Sequence, residues 1–466
     1  MWFFAEIRTK KCTYMEIKRD ILRDFEAWKG RPDRKPILLQ GARQVGKSWI
    51  MEEFGRQSFQ YCAKFDFDRQ PELRSAFVHS KSPDRILKEL SLYSSVPLEE
   101  GKTLLLFDEI QECEEALNSL KYFYQEAPGW HLIAAGSLLG VAVRNRQMSV
   151  PVGKVEMMRM YPITFREFLS RADPATYEFV EDVPLEPLPE IILNKLNLEY
   201  KRYLVSGGMP EAVAALLDNQ GMEAVDQILE NIISLYELDF AKYAEARDIP
   251  RIRAVWHSLP AQLGKENRKF IFNQIRSGAR SKDYEDALLW LEDAGLIYRI
   301  FNITKPGLPL SAYEDPRAFR AYAGDCGLLR RLAGLPPESV LAPTAGYVEF
   351  KGALAENAVL QSLLPQMKYK PHYWSNDNKA EIEFVLQWGQ DIIPVEVKAE
   401  SRISGKSLSV YANKFAPERR IRFSSQNLKE NGGLISIPSP LAGWLPSLLS
   451  QTKGGQVGER SSGQER

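Results

Sequence analysis

Through the first third of the chain, short runs apolar on both faces alternate with amphipathic stretches. KPILLQ (35–40), YCAKFDFD (61–68), TLLLFDE (103–109) and WHLIAAGS (130–137) each read as a strand buried from both sides. MEIKRDILRDFEAWKG (15–30) reads as an amphipathic helix closed by Gly30, and KSWIMEEFGRQ (47–57) as a second helix following a Gly-containing loop. Such alternation predicts a parallel sheet covered by helices. From about 190 to 300 the pattern is mostly helical, with a Gly-Gly-Met-Pro break in EYKRYLVSGGMPEAVAALL. KFIFNQIRSG and SKDYEDALLWLEDAGL follow as two further helices, the second capped by Ser281, and IYRIFNI reads as a β-wing. Beyond about 350 the order is helix (ALAENAVLQSLLPQM), strands (EIEFVLQW, DIIPVEVKA), helix (SLSVYANKFA) and strand (RIRFSS), a second and smaller α/β pattern.

Composition narrows the classes. Of 466 residues, 61 are Lys or Arg and 61 Asp or Glu, a formal net charge of zero that excludes holding nucleic acid by bulk positive charge. The 44% hydrophobic and 26% charged content is that of an ordinary globular chain. Cys12, Cys62, Cys113 and Cys326 are far apart, in neither a zinc spacing nor a disulfide frame. No apolar run approaches the roughly 20 residues that span a bilayer, and the opening MWFFAEIRTKKC does not read as a signal peptide. The expectation is a reduced, soluble, cytoplasmic protein with no membrane contact.

Gly41-Ala42-Arg43-Gln44-Val45-Gly46-Lys47-Ser48 matches the phosphate-binding pattern G-x-x-x-x-G-K-[ST], after a strand and opening a helix. Glycines let backbone N–H groups close round a triphosphate while the helix N-terminus adds partial positive charge. Lys47 is expected to reach the β- and γ-phosphates and Ser48 to ligate Mg²⁺. About sixty residues on, Leu104–Phe107 would bury a strand that delivers Asp108 to Mg²⁺ and Glu109 to the attacking water. Ser137, ending the next apolar strand, is a candidate γ-phosphate sensor or a simple helix cap. ATP and Mg²⁺ are the expected ligands.

With GARQVGKS, FDEIQ (107–111), AAGSLLG (134–140), YPITFREFL (161–169) and YLVSGGMPEAV (203–213), the chain resembles the bacterial and archaeal AAA-type ATPases that carry a C-terminal DUF4143 region. The likeness runs from about residue 15 to 448. It implies an N-terminal helix (1–33), a P-loop ATPase core with a helical lid (34–240), a winged-helix-like domain (241–345), a restriction-nuclease-like domain (346–448) and a disordered tail (449–466). Relatives carry Gly-Arg where this chain has Gly153-Lys154; Arg43, Arg144, Arg146 and Arg159 are all open as an arginine finger, and Gln111 lies beside the acids. In the middle region Arg276, Arg280 and Lys282 suit phosphate contacts, but Asp283, Glu285, Asp286, Glu292 and Asp293 put acid on the same element, which favours protein packing over DNA reading.

Near the C-terminus, Glu396 and Lys398 lie two apart on one strand and so share a face; a turn would bring Glu383 beside them, with Glu356 on the preceding helix. Glu356, Glu383 and Glu396 as metal ligands, with Glu383, Glu396 and Lys398 as catalytic groups, suit metal-assisted phosphodiester hydrolysis. The pattern resembles the PD-(D/E)xK nuclease core, with Glu383 where an Asp is expected. Two functions compete: an ATPase coupling nucleotide state to a DNA-interacting nuclease-like domain, and a nucleotide-dependent switch or scaffold whose nuclease-like domain binds DNA or protein without cutting. Oligomeric state is left open, as is a start at Met1 or Met15.

Overall fold

The computed structural model describes residues 17–137, 139–144, 151, 153–265, 268–342, 348–376, 380–399 and 406–452. Met1, Met15, Arg146, most of the expected tail and the side chain of Arg144 lie outside the described residues.

After helix α1 (Ile21–Lys29), strands β1 (Ile37–Gln40), β2 (Tyr61–Asp66), β3 (Thr103–Asp108), β4 (His131–Ala135) and β5 (Glu156–Arg159) form a sheet of order β2-β3-β4-β1-β5, every neighbouring pair parallel. Three of the four runs read as doubly buried are so: Ile37, Leu38, Leu39, Leu104 to Phe107, Ile133, Ala134 and Ala135 are fully enclosed. YCAKFDFD is not, because β2 is an edge strand on which only Ala63 and Phe65 are buried. Strand β5 escapes the sequence reading because it is four residues long and lies on the sheet edge, with alternate residues exposed. In this order β4 lies between β1 and β3, so the C-terminal ends of all three open on one side of the sheet. Helix α2 (Lys47–Ser58) leaves β1 through the glycine loop, and its start is fixed by Gly46 at φ 95°, a left-handed conformation at its N-cap.

Helices α3 (Phe165–Ala172), α4 (Glu190–Ser206), α5 (Pro210–Leu217) and α6 (Met222–Tyr243) follow. The Gly-Gly-Met-Pro break sits where predicted: Gly207 has φ 65°, and a Cβ at Gly208 would stand 2.0 Å from the Ile163 carbonyl oxygen. The middle region then departs from expectation. KFIFNQIRSG holds only a 3-10 turn at Phe272–Gln274, while a helix one segment earlier, α7 (Ile249–Leu263), precedes α8 (Ser281–Asp293) and the antiparallel pair β6 (Ile297–Ile303) and β7 (Glu314–Ala323). Tertiary partners win there over local preference. Phe270 N–H donates to the Phe319 carbonyl, and Ile271 exchanges two hydrogen bonds with the Gln262 amide, holding the chain extended at Ile271, just before the turn. Ser281 is not the cap either: Arg280 takes that position without a side-chain bond.

Helix α9 (Cys326–Leu332) is capped by the Asp325 side chain, which accepts from Leu328 N–H. Helix α10 (Val348–Leu363), strands β8 (His372–Asn376), β9 (Ala380–Trp388) and β10 (Asp391–Val397), helix α11 (Lys406–Phe415), and strands β11 (Arg420–Ser424), β12 (Lys429–Asn431) and β13 (Leu434–Pro438) complete the chain. The β8–β9 and β9–β10 pairs are antiparallel, and β11 lies parallel to β10. Among the described residues this is one eight-stranded sheet, β12-β13-β11-β10-β9-β8-β6-β7: the β6–β7 hairpin joins it through β6 and β8, with Asn302 opposite Tyr373. Where α4, α9 and α10 meet, buried Asp325 accepts from Gly208 N–H at 2.6 Å and from Gln361 Nε2 at 2.9 Å; Gln361 Nε2 also donates to Tyr203 OH, which donates to the Ile163 carbonyl at 2.7 Å. No helix among the described residues is long and apolar enough to cross a membrane.

Candidate nucleotide site and C-terminal carboxylate cluster

The loop from Gly41 to Gly46 must turn sharply and pass close to β5. Gln44 and Gly46 have φ of 67° and 95°, and a Cβ at Gly41 would lie 2.4 Å from the Met160 carbonyl oxygen, a fit that only glycine permits. Ala42 and Val45 are buried, Arg43 and Gln44 exposed. Lys47 is buried at the first position of α2, and its Nζ donates to the carbonyls of Gly41 and Ala42, both at 2.9 Å. Burial pulls its pKa down to about 8, against the opposing pull of Glu109 and Asp108. Ser48 follows in the same turn, half-buried.

Asp108 ends β3, 4% exposed. Its Oδ1 accepts from Glu109 N–H at 3.2 Å, and its Oδ2 lies 3.0 Å from Lys64 Nζ. Glu109 sits at φ 50°, ψ 46°, a left-handed conformation that costs a non-glycine residue roughly 1–2 kcal/mol. Glu109 Oε2 accepts from Gln111 Nε2 and, at 3.0 Å, from Ser137 Oγ. The β4 strand between β1 and β3 thus delivers Ser137 to the acid of the neighbouring strand, while Gln111 Oε1 is buried with no partner.

Several residues at this site carry no local signature in the sequence. Arg19, ahead of α1, donates to the Val45 carbonyl (3.2 Å) and the Tyr161 carbonyl (2.6 Å) and pairs with Glu167 (3.1 Å), keying the N-terminal segment into the loop. Arg43 is bound by Asp239 of α6, and Tyr236 OH donates to the Arg43 carbonyl at 2.8 Å. Gly295, in the turn from α8 to β6, faces Ala42: a Cβ there would meet its nitrogen at 3.2 Å. Of the other arginine-finger candidates, Arg159 is exposed at the end of β5. Lys154 stands over the Tyr124 ring, 5.3 Å from its centre.

The second cluster assembles in part. Lys398 Nζ stands 3.5 Å from Glu383 Oε1 and 3.6 Å from Glu396 Oε1, and Val397 N–H donates to Glu383 Oε2 at 3.2 Å. Glu396, fully buried, accepts from Arg422 Nε at 2.8 Å. Glu356, 1% exposed, pairs with Arg268 and accepts from Tyr322 OH at 3.2 Å. Burial pushes Glu356 up to about 7; Arg268 opposes this and Glu383 adds to it. Among the described residues, no group of three or more His, Cys, Asp or Glu side chains could hold a metal ion. Glu356, Glu383 and Glu396 each face a cation in this structure. Arg268, Arg422 and Lys398 already answer those carboxylates, and two of these cations come from segments distant in sequence.

A parallel sheet with a glycine loop, buried lysine and acid-tipped strand on one edge defines a P-loop ATPase. Comparison with known families agrees: residues 33–169 match the AAA domain, 197–339 a domain of unknown function (DUF8612) and 351–441 a second (DUF4143). The chain thus carries an AAA domain in its first third and a DUF4143 region toward its C-terminus. No curated protein matches it. Among solved structures it is similar to a Walker-type ATPase of Pyrococcus abyssi (16% identity, 68% of this chain and 95% of that one, TM-score 0.42). It is also similar to the RuvB Holliday junction branch migration motor of Thermotoga maritima (15% identity, 66% and 92%, TM-score 0.31). No TM-score here reaches 0.5, so the site's chemistry rests on this chain's own residues.

Proposed function

We propose that the protein binds and hydrolyses ATP with Mg²⁺ and uses the nucleotide state as a switch, its C-terminal unit engaging DNA or a protein partner without cutting. The observation that carries the first half is the buried Lys47 ammonium inside a left-handed glycine loop at a helix N-terminus, with Asp108 and Glu109 close enough to act on its charge. Bound ATP brings the phosphate to be cleaved, and Mg²⁺ the positive charge that stabilises it in the transition state. The chain's residues then divide the work. Loop N–H groups and Lys47 would hold the phosphates, Lys47 exchanging two carbonyls for them. Ser48 and Asp108 would hold the ion. Glu109, steadied by Gln111 and Ser137, would orient and deprotonate the attacking water.

The order α10-β8-β9-β10-α11-β11 supports a nuclease-like fold for the end of the chain, but the arginines on Glu356 and Glu396 favour binding over cleavage. Removing the carboxylate proton acceptor in Glu109→Gln should lower kcat by about 10²–10⁴-fold while leaving nucleotide bound; Lys47→Ala should abolish binding of a fluorescent ATP analogue. An unchanged phosphate-release rate in both variants would end the ATPase reading. Labelled DNA incubated with Mg²⁺ or Mn²⁺, with and without ATP, should stay intact. Cleavage that disappears in Glu396→Ala would restore the nuclease alternative.

A further inference from the structure

Edge strand β2 carries one lysine, Lys64, between the buried Ala63 and Phe65. Lys64 pairs in register with Leu106, and Asp66 with Asp108, so the lysine lies one pleat back from the acid, on the adjacent strand. Its ammonium is shared: Nζ is 3.0 Å from Asp108 Oδ2 and 2.6 Å from Glu52 Oε1 on α2. The Asp108 side is buried, whereas Glu52 is half-exposed. Both Asp108 oxygens are thus engaged within the chain, Oδ1 by Glu109 N–H and Oδ2 by Lys64.

We propose that Lys64 is a resident counter-ion for Asp108 that competes with the divalent cation and weakens its binding until phosphate oxygens share the ion. The proposal rests on the ATPase reading above. An ammonium 3.0 Å from a buried carboxylate satisfies one charge and occupies the lone pairs a metal would use. Displacing it would strand a cation in most settings. Here Glu52 already holds it at 2.6 Å, so Lys64 keeps a partner whether or not the metal is present. The metal site is thereby kept closed to free cations without costing the protein an unpaired charge.

Titration of the full chain with Mn²⁺ alone, followed by the electron paramagnetic resonance of the free ion, tests this. Lys64→Met should bind Mn²⁺ at least about tenfold more tightly than the wild type, since one positive charge at contact distance is removed. Glu52→Gln should bind it more weakly than the wild type, because the ammonium then has Asp108 alone. The gain should vanish in Lys64→Met/Asp108→Asn. If Lys64 merely staples β2, β3 and α2, both single variants would loosen Asp108 and shift affinity the same way or not at all, and the proposal falls; a gain that survives Asp108→Asn also overturns it. Failure of the ATPase reading would appear separately, as a wild-type chain that binds no fluorescent ATP analogue whatever its Mn²⁺ affinity.

Discussion

Lys47 makes the protonation state of one side chain part of the ligand chemistry. In the nucleotide-free protein its pKa is about 8 against an ordinary 10.5. Between those values the unfolded chain holds a proton that the folded one has lost, so stability rises with pH across that window and the burial penalty is fully felt below it. Phosphate needs the ammonium, so the effect on binding has the opposite sign. ATP affinity should fall above about pH 8, and calorimetry at about pH 9 in buffers of differing ionisation enthalpy should show uptake of close to one proton per site, against none near pH 7. Equal proton uptake at both pH values would contradict the assignment. At this scale the sequence is unevenly legible. Gly41, Gly46, Lys47, Asp108 and Glu109 could be named because their chemistry is set by local spacing. The cations Lys64, Arg268 and Arg422 could not, because the pairs they form join segments separated by up to 88 residues and leave no pattern along the chain. The ion pairs that Glu356 and Glu396 make with Arg268 and Arg422 therefore carried no signal in the sequence.

Among elements, strands enclosed on both sides announce themselves by unbroken apolar runs, which is why β1, β3 and β4 were readable within a few residues. Elements held by their neighbours do not: β5 sits on an edge, and KFIFNQIRSG is kept from forming an α-helix by the bonds of Phe270 and Ile271 to Phe319 and Gln262, despite its helix-like spacing. The joint between α4 and α5 is the opposite case, a short-range signal with a long-range cause. Gly208 lies against Ile163 and donates to Asp325, which in turn is tied to Gln361 of α10. Gly208→Ala should therefore destabilise the protein by about 1–3 kcal/mol, as an overpacked core position does, visible as a lower urea midpoint with an unchanged slope. A midpoint equal to that of the wild type would mean the joint has more room than the Ile163 contact allows.

For the whole molecule, the glycine loop is gripped from three directions: by Arg19 from the N-terminal segment, by Asp239 and Tyr236 of α6, and by the α8–β6 turn at Gly295. A ligand that rearranges this loop must be felt by all three. Hydrogen exchange followed by mass spectrometry should show ATP-dependent changes in peptides covering 236–243 and 290–298 as well as 41–48. Changes confined to 41–48 would mean that the lid and middle region ignore the nucleotide. The contact of β6 with β8 bears on how the chain can be divided. A cut near residue 345 severs no covalent ornament; it strips a neighbour from β8 and leaves a raw border of unmatched amides and carbonyls. An isolated 346–452 piece should self-associate in size-exclusion chromatography, whereas one beginning before β6 should run as a single species. The hairpin and the strands behind it share one sheet, so dividing the chain between them opens a new edge on each piece.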